Sequence, residues 1–215
     1  MRVYDPLLEL DDVANDDLFA AKIPFVRVVD DVFTADECAV VVARIEALGP
    51  SFAPITTHRG FVDRPDIRNN DRVIFDDVDL ANDLFARLAP HLPLQRRGLT
   101  PEDRRGEQGD PLWTATTCNE RFRGYRYQRG QRFAPHYDGP FVRNDDDRSA
   151  LTLLLYLNEG FDGGETRFLD WQSTVTPKTG SVLLFDHAIL HEGAGVLAGT
   201  KYALRSDVMY AVRRA

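Results

Sequence analysis

From residue 112 to the C-terminal end, apolar and polar positions alternate in short runs that predict β-strands at 119–127, 132–138, 150–158, 165–169, 181–186 and 201–210. Turn signals separate them: Arg129-Gly130, Asp138-Gly139-Pro140, Gly160 to Gly164, Lys178-Thr179-Gly180 and Gly193 to Gly199. The alternation also assigns faces. Leu151, Leu153, Leu155 and Leu157 share one side of their strand, and Thr152, Leu154 and Tyr156 share the other. In the last strand Tyr202, Leu204, Val208 and Tyr210 oppose Lys201, Ala203, Arg205 and Asp207. An apolar outer face and a partly polar inner face predict a sandwich, barrel or jelly roll with a wet lumen large enough for one small ligand.

The N-terminal half follows a different period. Residues 1–22 read as a loosely ordered arm and 23–33 as a strand leading into a helix. Thr34 and Glu37 have capping-box spacing. Cys38, Val41, Val42, Ile45 and Leu48 then recur at helical spacing until Gly49-Pro50. A second helix, capped by Asp79, carries Leu80, Leu84, Phe85 and Leu88 and ends by Pro93. Residues 51–78 lack periodicity and are rich in Arg, Asn and Asp, so they read as a surface loop, with Arg68, Asn70 and Arg72 as candidates for a pocket mouth. Residues 95–110 read as a charged, glycine-rich loop or flap.

The chain has 215 residues with 43% hydrophobic content, enough for one domain with its own core. Its net charge of −8, from 26 basic and 34 acidic residues, argues against nucleic acid or an anionic membrane as partner. Cys38 and Cys118 allow at most one bridge and read as reduced thiols. The opening stretch reads as neither a signal peptide nor an anchor, and a soluble cytoplasmic protein is expected.

The candidate chemistry centres on residues 127–138, YQRGQRFAPHYD. His136 and Asp138 are two apart and so share a face of an extended segment. A further histidine completes a two-histidine, one-carboxylate set that leaves open positions on a ferrous ion. His191 is the candidate, with His187 as its competitor; His58 and His91 fall in the helical or loop half, where a solvated role is expected. Lys201 begins the strand that follows His191, and Tyr127, Thr152 and Tyr156 can offer hydroxyls to the same lumen. An open metal site with a lysine beyond it suits a dicarboxylate, which chelates the metal at one end and meets an ammonium at the other.

Residues 119–210 resemble the catalytic domain of prolyl 4-hydroxylase-type 2-oxoglutarate- and Fe(II)-dependent dioxygenases, in the stretches YQRGQRFAPHYD, LTLLLYLNEGFDGGET, VTPKTGSVLLFDH and HEGAGVLAGTKYALRSDVMY. The resemblance implies a mainly β fold, a double-stranded β-helix (a cupin-like jelly roll) with the N-terminal helices covering its major sheet. The whole chain, 1–215, is then one domain, with 1–111 as helical and loop support and 112–215 as the catalytic core. It implies iron at His136, Asp138 and His191, and 2-oxoglutarate held by Lys201 with Tyr156, Tyr127 and, less directly, Thr152. Arg205 departs from the pattern: it is a second carboxylate clamp or a substrate contact.

The implied reaction hydroxylates an unactivated C–H bond, on peptidyl proline, another amino-acid side chain or a small molecule. It consumes O2 and 2-oxoglutarate and releases succinate and CO2, with ascorbate as a supporting reductant. Asp138 argues for hydroxylation, because halogenating relatives carry a small residue there. Arg72, Asn119, Arg121 and Arg123 are candidates for the substrate side. Two other functions fit less of the pattern. One is a non-catalytic jelly roll that binds a metal or ligand. The other is a zinc hydrolase, for which no H-E-x-x-H helix is present. The oligomeric state is not legible.

Overall fold

The computed structural model describes residues 24–57, 60–99 and 111–212. The chain begins with strand β1 (Val26–Val29), helix α1 (Ala35–Ala47), the short strands β2 (Ser51–Phe52), β3 (Ile55–Thr57) and β4 (Gly60–Val62), then β5 (Asp71–Asp76). Helix α2 (Val78–Leu88) runs into a 3-10 turn at Ala89–His91, followed by β6 (Gln95–Arg97), β7 (Leu112–Cys118), β8 (Arg121–Tyr127), β9 (Phe133–His136) and β10 (Val142–Asn144). The remainder is β11 (Asp147–Tyr156), β12 (Asp162–Gly163), β13 (Thr166–Phe168), β14 (Ser173–Val175), β15 (Val182–Asp186), β16 (His191–Gly193), β17 (Val196–Ala198) and β18 (Lys201–Val212).

Two antiparallel sheets make the core. The larger runs β1-β15-β11-β18-β8-β5-β2, with β7 also on β18, and the smaller runs β14-β13-β16-β9. From β8 onward the chain crosses repeatedly between them, with β8, β11, β15 and β18 in the larger sheet and β9, β13 and β16 in the smaller, which is the winding of a jelly roll. Leu151, Leu153 and Leu155 of β11 and Leu204 and Val208 of β18 point away from the lumen. They form one buried cluster with Cys38, Val41 and Ile45 of α1 and Ala81, Leu84 and Leu88 of α2. Each such leucine is fully buried, a contribution of about 1.5–3 kcal/mol. The approach is close at Gly124 of β8, where a Cβ would lie 2.6 Å from Ile45 Cγ1.

Local chemistry sets the helix starts. Thr34 Oγ1 accepts from the Glu37 amide and the Glu37 carboxylate accepts from the Thr34 amide, so the capping box is closed. Gly180, at φ +78°, accepts from the Val32 and Phe33 amides, and a Cβ there would collide with the Phe33 carbonyl. The second helix corrects one expectation. Its cap is Asp77, not Asp79: the Asp77 carboxylate accepts from the Leu80 amide at 2.9 Å, and Asp79 lies inside the first turn.

A second correction concerns 51–78, which is not a plain loop. It holds β2, β3, β4 and β5, and β5 pairs with β8 over six positions, Asp71↔Arg126 to Asp76↔Arg121. The segment 95–110 begins as β6, paired with β7; the part from 100 on lies outside the described residues, as do the arm 1–22 and His58.

Candidate metal and cosubstrate site

His136 ends β9 and His191 opens β16, and the two strands place them directly opposite each other in the smaller sheet. Their rings lie 4.3 Å apart between centroids. Asp138 follows two residues after His136, and its amide is held by the His187 carbonyl at 3.1 Å. Each of the three residues offers a ligand atom within 4.8 Å of the others. His136 Nε2 lies 3.9 Å from Asp138 Oδ1, and His191 Nε2 lies 3.7 Å from Asp138 Oδ2. The three side chains converge closely enough to hold one ion between them.

Both histidines are oriented alike. His136 Nδ1 meets the Ala134 carbonyl at 2.8 Å and His191 Nδ1 meets the Ile189 carbonyl at 3.0 Å. A backbone carbonyl can only accept, so Nδ1 carries the proton and Nε2 keeps its lone pair for an ion. His136 also stacks on Phe133, with ring centroids 3.6 Å apart. Burial, reinforced by the neighbouring His191, pulls the His136 pKa down to about 4. Burial likewise lowers that of His191. Both imidazoles are therefore neutral at physiological pH, as metal ligands must be. Burial opposes the charge on Asp138, but Arg205, the two histidines and Thr152 together hold its carboxyl below the usual range.

His187 has a different task from His191. Thr152 Oγ1 donates to Asp138 Oδ2 at 2.6 Å and so must accept from His187 Nδ1, 2.9 Å away. His187 Nε2 then accepts from Ser149 Oγ at 2.8 Å. This chain from β11 fixes the Asp138 carboxylate. Thr152→Val should weaken divalent-metal affinity by roughly 10–100-fold, as loss of such supporting groups does. Thr152→Ser should keep it; a titration with Fe(II) or Co(II) reads the difference.

The three residues line one wall of a pocket whose other walls include Tyr125 and Tyr127 of β8, Thr152 and Leu154 of β11, and Lys201, Ala203 and Arg205 of β18. Lys201 is buried, and its ammonium donates to the Gly164 carbonyl at 2.6 Å. Its Nζ lies 5.2 Å from the Tyr127 ring centre and 5.5 Å from that of Tyr156. Burial brings its pKa down to about 8, with Glu165 attracting it only weakly. The Tyr156 hydroxyl is engaged with Thr166 Oγ1 at 2.7 Å. Gly164, at φ +71°, keeps the lysine's flank open, since a Cβ there would stand 3.2 Å from Lys201 Cδ. A buried ammonium satisfied by one carbonyl is a site for an anion. Together with a neutral-histidine, single-carboxylate set, the pocket fits Fe(II) and a dicarboxylate.

Residues 122–206 match the family described as the 2OG-Fe(II) oxygenase superfamily. That match spans the segments that carry His136, Asp138, His191 and Lys201. In Arabidopsis thaliana, probable prolyl 4-hydroxylase 10 is 32% identical over 36% of this chain and 37% of its own length. Probable prolyl 4-hydroxylase 3 of the same plant is 29% identical over 36% and 38%. The likeness thus spans under two fifths of these curated relatives. Among solved structures, a Pseudomonas putida prolyl-4-hydroxylase superposes with a TM-score of 0.58 at 20% identity, covering 94% of this chain and 97% of that one. The viral collagen prolyl hydroxylase of Paramecium Bursaria Chlorella virus-1 gives 0.57 at 18%, covering 89% and 98%. At these identities the structural likeness is one of fold.

The other expected site residues divide. Arg205 Nη2 pairs with Asp138 Oδ1 at 3.1 Å and reaches Asp207 Oδ1 at 3.2 Å. Arg123 of β8 and Arg72 of β5 gather with Arg68 around Tyr125. Arg121 instead forms an exposed ion pair with Asp76 at 3.0 Å. Asn119 is fully buried; its Oδ1 accepts from the Arg121 amide at 3.1 Å and its Nδ2 reaches Asp207 at 3.4 Å, so it shapes a turn. Tyr125 was missed, although its place two residues before Tyr127 puts both on one strand face.

Proposed function

We propose that this protein is an Fe(II)- and 2-oxoglutarate-dependent hydroxylase acting on an unactivated C–H bond of an amino-acid side chain or a small molecule, with peptidyl proline as one candidate. The observation that carries this reading is the joint presence, in one pocket, of His136, Asp138 and His191 with the buried ammonium of Lys201. When bound, Fe(II) and 2-oxoglutarate supply the oxidising chemistry, in which O2 converts the cosubstrate to succinate and CO2 and hydroxylates the substrate. The chain's own residues do the rest. His136 and His191 present neutral Nε2 atoms, and Asp138 supplies the single anionic ligand. Lys201 takes the distal carboxylate, a charge-assisted contact beside the rings of Tyr127 and Tyr156. Retention of the carboxylate at Asp138 supports hydroxylation over halogenation.

A reducing, cytoplasmic setting is part of the proposal, supported by the free, buried thiols of Cys38 and Cys118. Among the described residues no helix is long and apolar enough to cross a membrane.

The test is stoichiometric release of succinate that requires both Fe(II) and 2-oxoglutarate. Metal binding without succinate would favour a ligand-binding module instead. The pH profile adds a sharper expectation. Lys201 must be charged to hold the carboxylate, and its pKa in the free protein is about 8. As pH rises through 8 the ammonium is lost, so kcat/KM for 2-oxoglutarate should fall, approaching tenfold per unit. Lys201→Arg should abolish that fall. On the acid side His136, at about 4, should leave no inflection near the usual histidine value of 6.5.

A further inference from the structure

Beyond the cosubstrate lysine, Arg205 lines the pocket, and further guanidinium groups gather against it and against the lining rings of Tyr125 and Phe133. Strand register builds it. Arg205 of β18 stands directly opposite Arg123 of β8, and Tyr125 of β8 stands opposite both Ala203 of β18 and Arg72 of β5. Directly opposed residues in antiparallel strands share a face, so Arg205, Arg123, Tyr125 and Arg72 all belong to the lumen side. Arg68, from the segment before β5, enters the same space. Its guanidinium carbon lies 4.6 Å from the centre of the Tyr125 ring and 4.5 Å from that of Phe133, both pocket-lining rings.

Like charges placed opposite one another cost stability, and the local countercharge is small. Asp207 sits 3.2 Å from Arg205 and 3.6 Å from Arg123, the latter beyond a hydrogen bond. Asp138 is the other carboxylate, and its charge is committed to a metal once one binds. Arg68 is 4% exposed, and although its Nε donates to Asn70 Oδ1 at 2.7 Å, its Nη2 has no hydrogen-bond partner. Arg123 Nη1 and Arg205 Nε are buried and likewise without one. The crowding is felt by the neighbours. Burial alone would raise the Tyr125 phenol, yet Arg68, Arg205 and Arg123 bring it below the ordinary tyrosine value. Burial and the adjacent Arg68 also lower Arg72. Buried donors without acceptors and a surplus of cations both call for an anion.

Resting on the proposed hydroxylase reading, we infer that the molecule to be hydroxylated carries an anionic group, a carboxylate or a phosphate, which Arg68, Arg123 and Arg205 bind beside the metal. Arg205 is the link between the two halves of the pocket, since it touches Asp138 directly. Iron binding shifts the Asp138 charge to the metal and leaves Arg205 available to the substrate's anion. A neutral substrate would leave the arginine donors unmet, a loss that gives such sites their selectivity.

The test titrates anaerobic Fe(II)·2-oxoglutarate protein with acetate and, separately, inorganic phosphate, read by calorimetry. In that complex the metal and Lys201 are already engaged, so added anion reports the arginine cluster. Saturable binding is expected, weakened at least tenfold in both Arg68→Gln and Arg123→Gln, with 2-oxoglutarate affinity unchanged within twofold. Arg123 is the more exposed of the two, so its variant keeps the test valid if Arg68→Gln folds poorly. Stronger acetate binding identifies a carboxylate substrate, and stronger phosphate binding a phosphorylated one. No saturable binding to a complex whose visible charge-transfer band confirms bound cosubstrate would overturn the inference. So would variants that weaken 2-oxoglutarate in place of the added anion. Absence of the band itself counts against the hydroxylase reading, while anion binding by the metal-free protein would still report on the arginines.

Discussion

His136→Ala should abolish Fe(II)-dependent turnover of 2-oxoglutarate while leaving the protein folded. The imidazole is one of three ligands, and its Nε2 has no substitute within the set. Apart from Nδ1 on the Ala134 carbonyl, its contacts are stacking on Phe133 and the neighbouring His191 ring. Its loss therefore costs a metal ligand and little of the core. Asp138→Ala should abolish turnover equally, but with a loss of stability as well. It strips Arg205 of one of its two carboxylates and leaves Thr152 Oγ1 without its acceptor. Breaking a buried pair on one side costs about 3–5 kcal/mol, and Asp207 remains to hold the effect toward the lower end. Thermal melts of the metal-free variants beside succinate assays separate the two consequences. Normal turnover in either variant would contradict the ligand assignment.

Lys201→Met is expected to raise the 2-oxoglutarate concentration needed for half-maximal turnover by about a hundredfold. A charge-assisted contact in a buried wall contributes about 3 kcal/mol, and each 1.4 kcal/mol is tenfold. The metal-free variant should melt no lower than the parent protein. Its ammonium is a buried charge whose hydrogen bond goes to one carbonyl, that of Gly164, so an apolar chain of similar volume removes a desolvation cost. A raised requirement with unchanged or higher stability marks a residue kept for its ligand. Should Arg205→Ala show the larger rise, the distal carboxylate lies on Arg205 instead.

Much of this was legible because the informative signals are local. The capping box needs only Thr34 and Glu37, and the two-faced strand at 151–157 needs only its own alternation. His136 and Asp138 declare a shared face by being two apart. Long-range relations were less legible. Choosing between His187 and His191 depends on which one faces β9. His187 turns toward Ser149 and Thr152 of β11, whereas His191 pairs with His136. Strand β5 was hidden because Val73, Ile74 and Phe75 are apolar in succession and blur its alternation, although Val73 and Phe75 pack toward the helix-covered core. Arg72 faces the lumen side beside Tyr125, and Ile74, on the same face, is 47% exposed. The helix start was misplaced by two because Asp79 stands among several aspartates, and only the structure shows that the chain turns into the helix at Asp77, whose carboxylate closes on the Leu80 amide.

The most direct measurement is an anaerobic titration of the metal-free protein, first with Fe(II) and then with 2-oxoglutarate, watching for the weak visible metal-to-ligand charge-transfer band of the chelated cosubstrate. The band should appear in the parent protein, vanish in His136→Ala and need far more 2-oxoglutarate in Lys201→Met. Iron bound with no band at saturating 2-oxoglutarate would contradict the account, because the pocket would then hold a metal without the cosubstrate that Lys201 is placed to receive.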